Sequence, residues 1–329
     1  MGAVSIEVLP MRRRHLLALA ATNLATPALA QTWPSRPIRL VVPFGAGGII
    51  DVVARIIAEA MGRSLGASLV VENQPGGGNT IGGRAVARAV PDGHTLLLTG
   101  ASQAVVPTLY PDAGYDIFTD FVPVAPLGDQ PFVLAVNPGI PAQDVAGLVA
   151  WLKQRRGDAN FATTGLGAAS HLAGELLKTM AGVDFTVVPY RGTPQAVTDL
   201  VAGRADLMID SQTLLAPMGA EGRVRLLAVT TPRRSAMLPA LPTLAESGFP
   251  GFAASSWQAL YAPRGTPDAV VQRLAAAAAA ARQDPAVLRR FAEAGVEPFP
   301  GGPADLAAFL RAEHDRWGPI LRAAGVKHG

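Results

Sequence analysis

The chain has 329 residues, of which 49% are hydrophobic and 16% are charged. This composition excludes a disordered protein, and the length exceeds the ~100 to 200 residues of one ordinary domain, so two domains are expected. The net charge is only +3 and cysteine is absent. These facts disfavour nucleic acid as a partner and exclude disulfides, thiolate nucleophiles and cysteine-ligated metals.

The N-terminus has the three parts of a secretory signal peptide. Residues 12–14 are arginines, residues 16–24 are mostly apolar, and residues 28–30 have the small-x-small pattern of a cleavage site. The apolar stretch is shorter than the ~20 residues that span a bilayer, which disfavours the alternative of a membrane anchor. We therefore predict a leader over residues 1–30, cleaved near Ala30 after Sec or twin-arginine export, and a periplasmic mature chain.

The first predicted strand leads through a glycine loop into a helix. Residues 38–43 form a β-branched run, residues 44–48 read Phe-Gly-Ala-Gly-Gly, and apolar residues recur at helical spacing from Asp51 onwards. Unpaired N–H groups in a first helical turn favour an anion, either a phosphate or a carboxylate; the alternative is a tight turn without a ligand. The loop matches neither GxGxxG nor a P-loop. Asp51 itself is predicted to be the helix N-cap.

Strands and helices alternate along the rest of the chain. Strands are predicted at residues 69–72, 95–99, 133–136, 160–162, 185–188, 206–209, 224–230 and 256–261, and helices at residues 81–89, 145–153, 170–180, 193–202 and 268–282. This alternation predicts an α/β fold with parallel-rich sheets. We infer two lobes, residues 31–132 with 255–329 and residues 133–254. Two crossing segments, 131–136 and 256–261, would form a hinge beside a ligand cleft.

A second glycine loop, at residues 163–171, repeats the first arrangement in the other predicted lobe. Two helix N-termini at one cleft suit the two ends of a dicarboxylate, or one carboxylate with apolar surface around the rest of the molecule. Ser170 has an alternative role as an N-cap without ligand contact. His171 is predicted to be a hydrogen-bonded packing residue rather than a ligand or a base.

Catalytic and metal-binding motifs are missing from the sequence. There is no GxSxG nucleophile elbow and no HExxH spacing, so the sequence predicts no metal site and no other cofactor. Asp210 with His171 is the one acid–base pair that we nominate for an alternative function, a periplasmic enzyme acting on a carboxylated substrate in the same cleft. A binding protein without catalytic activity is therefore the favoured interpretation.

Ordered motifs along the chain resemble those of the Bug-type periplasmic receptors of the tripartite tricarboxylate transporter family. They lie at residues 33–38, 42–51, 71–77, 91–96, 170–175, 188–192, 227–230 and 241–243. The resemblance implies a two-lobed fold similar to type II periplasmic binding proteins, with a ligand carboxylate held by backbone amides and hydroxyls of both glycine loops. The ligand-binding residues it implies are Phe44, Gly47, Gly48, Ile50 and Asp51 in the first lobe, Thr164, Gly165, Ala168, Ala169 and Ser170 in the second, and Ser102, Arg191 and Asp210 near the cleft.

Both glycine loops depart from the usual pattern of that family. Ile49 and Ile50 replace small or hydroxylated residues, and Leu166, Ala168 and Ala169 replace polar ones. A lost hydroxyl contact weakens binding by ~1 kcal/mol, so citrate or malate should fit poorly. A monocarboxylate, or a dicarboxylate with an apolar or aromatic body, should fit better. The implied partners are inner-membrane permease subunits or a sensor kinase. We expect a monomer, since no heptad pattern or long exposed apolar strand argues against one.

Overall fold

The computed structural model describes residue 2 and residues 33–190, 192–235, 237–323 and 325. The predicted leader, apart from residue 2, and Arg191 lie outside the described residues. Within the described ranges, no helix combines the length and the hydropathy that a membrane span needs.

The described residues form ten strands and ten α-helices, which alternate along most of the chain. The strands are β1 (Ile38–Val42), β2 (Leu69–Asn73), β3 (Thr95–Gly100), β4 (Phe121–Val136), β5 (Gly157–Thr163), β6 (Phe185–Pro189), β7 (Leu207–Ser211), β8 (Arg225–Val229), β9 (Ser255–Pro263) and β10 (Glu297–Pro298). The helices are α1 (Ile49–Leu65), α2 (Thr80–Ala87), α3 (Ser102–Leu109), α4 (Val145–Arg155), α5 (Ala169–Ala181), α6 (Thr193–Val201), α7 (Gln212–Ala220), α8 (Asp268–Gln283), α9 (Pro285–Glu293) and α10 (Pro303–Ala323). A 3-10 turn, Gly77–Asn79, precedes α2.

The strands join into one continuous sheet in the order β2-β1-β3-β9-β4-β7-β5-β6, and β8 and β10 also pair with β4. Pairing is parallel towards both ends of this order, where β1 lies between β2 and β3, and β5 lies between β6 and β7. It is antiparallel wherever β4 or β9 takes part. The predicted α/β fold with two crossing strands is therefore confirmed, with the two predicted parallel-rich sheets joined into one continuous sheet.

Strands β4 and β9 connect the two ends of the sheet. Strand β4 pairs with β9 as far as Pro131, which faces Ser255, and from Phe132 to Val136 it pairs with β7 and β8 instead. The change of partner thus falls within the predicted crossing segments. The division into two lobes, residues 31–132 with 255–329 and residues 133–254, remains a prediction.

The first part of β4 was not predicted, because its sequence contains three prolines. Pro123, Pro126 and Pro131 lack the N–H group that a sheet ladder requires. The strand shifts register directly after Pro123 and again directly after Pro126. Such irregularities are the places where a strand tolerates proline.

Helices α3 and α7 were also not predicted from the sequence. Each is short and has an internal proline, Pro107 in α3 and Pro217 in α7. Proline near the end of a short apolar segment normally argues against a helix, because it removes a backbone hydrogen bond. Both helices begin at the cavity described below.

The C-terminal helices pack against the sheet and against α1. The alanine-rich face of α8 lies against α1, where Ala277, Ala278 and Ala281 are each at most 3% exposed. Helix α10 contacts α3 and β4. Its Glu313 carboxylate accepts hydrogen bonds from the indole N–H groups of Trp257 and Trp317, at 3.1 and 2.9 Å. These contacts attach the end of the chain to the middle of the sheet.

Candidate ligand-binding site

One cavity of about 560 Å³ collects residues from distant parts of the chain. Its walls come from both glycine loops, from the N-terminal ends of α3, α6 and α7, and from the crossing strands β4 and β9. The volume lies within the ~300 to 1,000 Å³ of typical small-molecule sites. The place is also the expected one, beside the strands that change partner.

Five helices begin at this cavity, namely α1, α3, α5, α6 and α7. Their N-cap residues all line it, and they are Gly48, Ala101, Ala168, Gly192 and Ser211. None of the five makes a side-chain capping hydrogen bond. The first-turn N–H groups and the positive ends of five helix dipoles are therefore available to an anion in the cavity.

Away from the cavity, two of the described helices have a side-chain cap, whereas α2 and α8 have none. Helices α4 and α9 follow Asp144 and Asp284, whose carboxylates accept N–H groups of the first turn, from Gly147 at 2.7 Å and Ala286 at 2.8 Å. A carboxylate from the protein thus occupies these two helix ends. None of the five helix ends at the cavity has a side-chain cap of this kind, although at α7 the Asp210 carboxylate accepts the N–H of the N-cap residue Ser211 at 2.7 Å.

The first glycine loop is held by Asp51, the third residue of α1. Its carboxylate accepts the Gly47 N–H at 2.9 Å, the Asn73 amide at 2.9 Å and the Arg55 guanidinium at 3.0 Å. Burial acts to raise the pKa of Asp51, but these hydrogen bonds and the charge of Arg55 outweigh it, so the pKa lies below its ordinary value. The ionised side chain fixes the loop conformation.

The second glycine loop is held by hydroxyl groups and an imidazole. Ser170 Oγ lies 2.8 Å from Thr163 Oγ1 and 3.1 Å from Thr164 Oγ1. The Gly167 N–H donates to His171 Nδ1 at 3.0 Å, and His171 Nε2 lies 3.5 Å from a Glu175 carboxylate oxygen. His171 is only 1% exposed and is not among the residues that line the cavity.

Most of the polar side chains that line the cavity carry a hydroxyl group. The polar side chains that line it are Ser102, Gln130, Thr164, Ser170, Thr193, Asp210, Ser211 and Ser256. Ser102 is 8% exposed, and its Oγ has no hydrogen-bond partner within the described part of the protein. Since a buried hydroxyl without a partner costs free energy, Ser102 is a natural contact for a bound molecule.

Asp210 is the one ionisable side chain among the described residues that line the cavity. It is 6% exposed at the end of β7. Burial raises its pKa to about 6, against the opposing effects of hydrogen bonds from the Ser211 N–H, at 2.7 Å, and from the Thr193 hydroxyl. No described lysine or arginine side chain lines the cavity.

The remaining surface of the cavity is apolar. The apolar side chains are Phe44, Ala46, Ile49, Ile50, Ala101, Phe132, Ala168, Ala169, Pro194 and Leu214. The site therefore combines hydrogen-bond donors at helix ends with an extensive apolar wall, which suits an anion with a hydrophobic body.

Comparison with known proteins identifies the family of this chain. Residues 53–326 match the model of the tripartite tricarboxylate transporter family receptor. The chain belongs to this receptor family. A protein from the tcbD-tcbE intergenic region of Pseudomonas sp. (strain P51) is 41% identical over 94% of each chain, and BugT of Bordetella pertussis is 38% identical over 94% of this chain and 95% of its own.

Solved structures of receptors of this kind share the fold. The periplasmic binding protein BugD is 38% identical with a TM-score of 0.78, over 90% of this chain and all of that one. R. palustris Rpa4515 with adipate is 37% identical with a TM-score of 0.79, over 89% and 98%. MatC from Rhodopseudomonas palustris with bound malate is 34% identical with a TM-score of 0.77, over 88% and 100%. The family is one of solute-binding receptors and not of enzymes, which agrees with the predicted absence of catalytic activity.

The receptor's predicted site residues fall into three groups. Ten of them line the cavity, namely Phe44, Gly47, Gly48, Ile50, Ser102, Thr164, Ala168, Ala169, Ser170 and Asp210. Asp51 and Gly165 do not line it, and Arg191 lies outside the described residues. Asp51 acts behind the first loop, as described above. Which of these residues contact a ligand remains a prediction.

One prediction and one alternative about helix ends were wrong. Asp51 is not the N-cap of α1, because the helix begins two residues earlier and Gly48 is the N-cap. Ser170 is not the N-cap of α5, because Ala168 takes that position and Ser170 lies inside the first turn. In both cases the glycine loop is short enough for the helix to start before the first polar residue.

Sequence reasoning did not include several residues that line the cavity. The additional polar residues are Gln130, Thr193, Ser211 and Ser256, and the additional apolar ones include Phe132 and Leu214. A signal existed for Thr193, since residues 193–202 were predicted as a helix that follows a strand. Applying the rule for helix N-termini to every strand-to-helix junction would have found it.

The alternative pair of Asp210 and His171 does not form an acid–base site. Asp210 lines the cavity, but the His171 ring is buried behind the second loop and engaged by Gly167 and Glu175. Among the described residues there is also no group of three or more histidine, aspartate or glutamate side chains placed to hold a metal ion.

Proposed function

We propose that this receptor binds a small organic carboxylate between its two predicted lobes in the periplasm, after export by its leader peptide. The observation that carries the proposal is the set of five uncapped helix N-termini around one cavity. Such an arrangement binds an anion through backbone N–H groups without a cationic side chain. Hydroxyls of Ser102, Thr164 and Ser170 line the same space and supply further donors.

The preferred ligand is a monocarboxylate, or a dicarboxylate with an apolar or aromatic body. Support comes from the first turns at the cavity, where Ile49, Ile50, Ala168 and Ala169 offer no side-chain hydrogen bond. One relative is bound to adipate, whose body is a chain of methylene groups, and another to malate, which has a hydroxyl. We infer that this protein resembles the first of these in its ligand class.

The bound acid is delivered to inner-membrane permease subunits or reported to a sensor kinase. The family model names a transporter receptor, which supports the first role. The two roles differ in a cell that lacks the protein. Loss of uptake of the radiolabelled acid indicates transport, whereas retained uptake with a lost transcriptional response to the acid indicates signalling.

A thermal-shift screen of residues 31–329 tests the binding proposal. The panel contains adipate, benzoate and longer aliphatic acids, with malate and citrate as polar counterparts and sugars and amines as negative controls. A ligand at 100 times its Kd stabilises the fold by ~2.7 kcal/mol, a readily measured increase in Tm. We expect the acids with apolar bodies to give the largest increases. Tighter binding of malate or citrate contradicts the ligand class, and stabilisation by sugars or amines alone contradicts carboxylate binding.

A further inference from the structure

Asp210 is unusual in a cavity built for an anion. Five helix N-termini attract a carboxylate to this space, yet the protein places a carboxyl group of its own there, 6% exposed. Oδ1 accepts the Ser211 N–H at 2.7 Å, and the Thr193 hydroxyl also donates to the group. Two ionised carboxylates in one desolvated cavity repel each other strongly.

No described cation neutralises Asp210. On β8, which pairs with β4, Arg225 donates to the backbone carbonyls of residues 138, 140 and 142. On α5, His171 contacts Gly167 and Glu175, and Lys178 contacts Glu175 and Asp184.

The acidic groups of the other neighbouring elements are also engaged elsewhere. Asp199 of α6 pairs with Arg204 and accepts from the Tyr190 hydroxyl. Asp158 of β5 pairs with Arg155, and Asp129 of β4 is hydrogen-bonded to Ser255. Helix α7 has no charged residue. Desolvation therefore dominates the protonation of Asp210, with no charge–charge contribution from the described residues.

We propose that Asp210 receives the ligand as a neutral carboxyl group that donates a hydrogen bond to the ligand carboxylate, so that each carboxylate binds together with one proton. This inference rests on the proposed carboxylate-binding function and specifies the chemistry at one point of the site. Proton sharing between two carboxyl groups is the usual solution when both are buried together.

The pKa of about 6 makes the proton easy to acquire near neutral pH. Above that value only a fraction of the receptor holds a neutral Asp210, and this fraction falls tenfold for each pH unit. Affinity for a fully ionised acid therefore weakens as the pH rises. A ligand that instead presents an ammonium or hydroxyl donor to an ionised Asp210 would show the opposite trend.

Isothermal titration calorimetry with adipate over pH 6.5 to 8.5, where the probe is largely ionised, tests the proposal. For wild type we expect Kd to increase roughly 50- to 100-fold over this range, with uptake of close to one proton at the upper end, measured in buffers of different ionisation enthalpy. Asp210→Asn keeps a donor and has no charge, so its Kd should stay within about twofold across the range and be at least tenfold lower than wild type at pH 8.5.

Asp129→Asn is the matched control. Burial raises the pKa of Asp129 to about 6 as well, but this residue does not line the cavity. The wild-type pH dependence should persist in this variant. It should also persist in Arg191→Ala, whatever the change in overall affinity, because the proposed proton resides on Asp210.

If wild type binds adipate with a Kd that does not change with pH and without proton uptake, the proposed role of Asp210 is wrong. The proposal of carboxylate binding would still stand. Weaker binding by Asp210→Asn at every pH leads to the same conclusion, because a neutral hydrogen-bond donor at this position then fails to improve binding of the ligand carboxylate. The wild-type measurements decide the question even if the variant does not fold. If no acid of the panel binds wild type at any pH, both the proposed function and this inference are wrong.

Discussion

The two glycine loops of the cavity have the same backbone arrangement but are held by different side chains. In each, a glycine with positive φ precedes the helix N-cap, Gly47 at +84° and Gly167 at +78°. In each, the third helical residue accepts the N–H of that glycine, through the Asp51 carboxylate in one loop and the His171 imidazole in the other. Both loops thus leave the N-cap and the first two helical residues free to face the cavity.

The difference lies in what supports each acceptor. Asp51 is ionised and also receives hydrogen bonds from Asn73 and Arg55, whereas His171 accepts one hydrogen bond and has Glu175 behind it. An imidazole nitrogen accepts only when it has no proton. The conformation of each loop thus depends on the position of the acceptor more than on its chemical type. The first loop is the more strongly held, because its acceptor is charged and has more hydrogen-bond partners.

Removal of the Asp51 carboxylate should cause the largest loss of stability. In Asp51→Ala the Gly47 N–H, the Asn73 amide and the Arg55 side chain lose an acceptor, and we expect a loss of about 3 kcal/mol in the free energy of unfolding. Urea denaturation measures it. Asp51→Asn retains an oxygen for Gly47 and should lose less than half as much. A loss below about 0.5 kcal/mol in Asp51→Ala would show that the carboxylate does not hold the loop.

Removal of the His171 imidazole in His171→Ala should lower the free energy of unfolding by less, about 2 kcal/mol, because one hydrogen bond and some packing are lost. The matched variant is His171→Asn, whose side-chain oxygen can take the place of Nδ1 and should recover part of the stability. The same denaturation series measures both. Equal losses in the two variants would mean that packing alone, and not the bond to Gly167, accounts for the role of His171.

Alanine at the two loop glycines should have a smaller effect. A positive φ costs a residue with a Cβ about 1 kcal/mol. At Gly47 a Cβ would meet no atom within 4 Å, whereas at Gly167 it would lie 3.0 Å from Leu109 Cδ1. Gly47→Ala should therefore lose about 1 kcal/mol and Gly167→Ala somewhat more, as measured by thermal unfolding. The reverse order would contradict the described loop geometry.

The smallest expected effect is a change in ligand selectivity when a hydroxyl is added at the N-terminal end of α1 or α5. Ala168→Ser adds a donor at the N-cap of α5 and Ile50→Thr adds one in α1. Each should improve malate binding relative to adipate about fivefold, equivalent to about 1 kcal/mol. Competition calorimetry measures the ratio. Ile50→Thr should also lose stability, because Ile50 is 8% exposed and packs in the core. No change in the ratio would mean that these positions do not contact the ligand.

The sequence was sufficient for the parts of the fold with strong periodicity. The strands before both glycine loops and the alternation that follows them were predicted because β-branched runs and helical spacing are local signals. The first part of β4 and helices α3 and α7 were not, because Pro123, Pro107 and Pro217 oppose the structures that tertiary packing nevertheless stabilises.

The two loops of the cavity were predicted from the sequence, but several other residues that line it were not. The two loops could be recognised from their glycines, whereas Gln130 and Ser256 reach the cavity only because β4 and β9 cross beside it. Pairings between residues so far apart in sequence have no local signature. The predicted helix starts near Asp51 and Ser170 lie after the observed ones. Capping preferences favour polar residues, whereas the N-caps of these two helices are a glycine and an alanine.

A crystal structure of residues 31–329 with the acid that stabilises the protein most tests the central claim directly. We expect one ligand carboxylate within hydrogen-bond distance of the first-turn N–H groups of α1 or α5, and the body of the ligand against Ile50 and Phe132. A ligand carboxylate that is paired with the Arg191 guanidinium and is remote from every helix N-terminus would contradict the account.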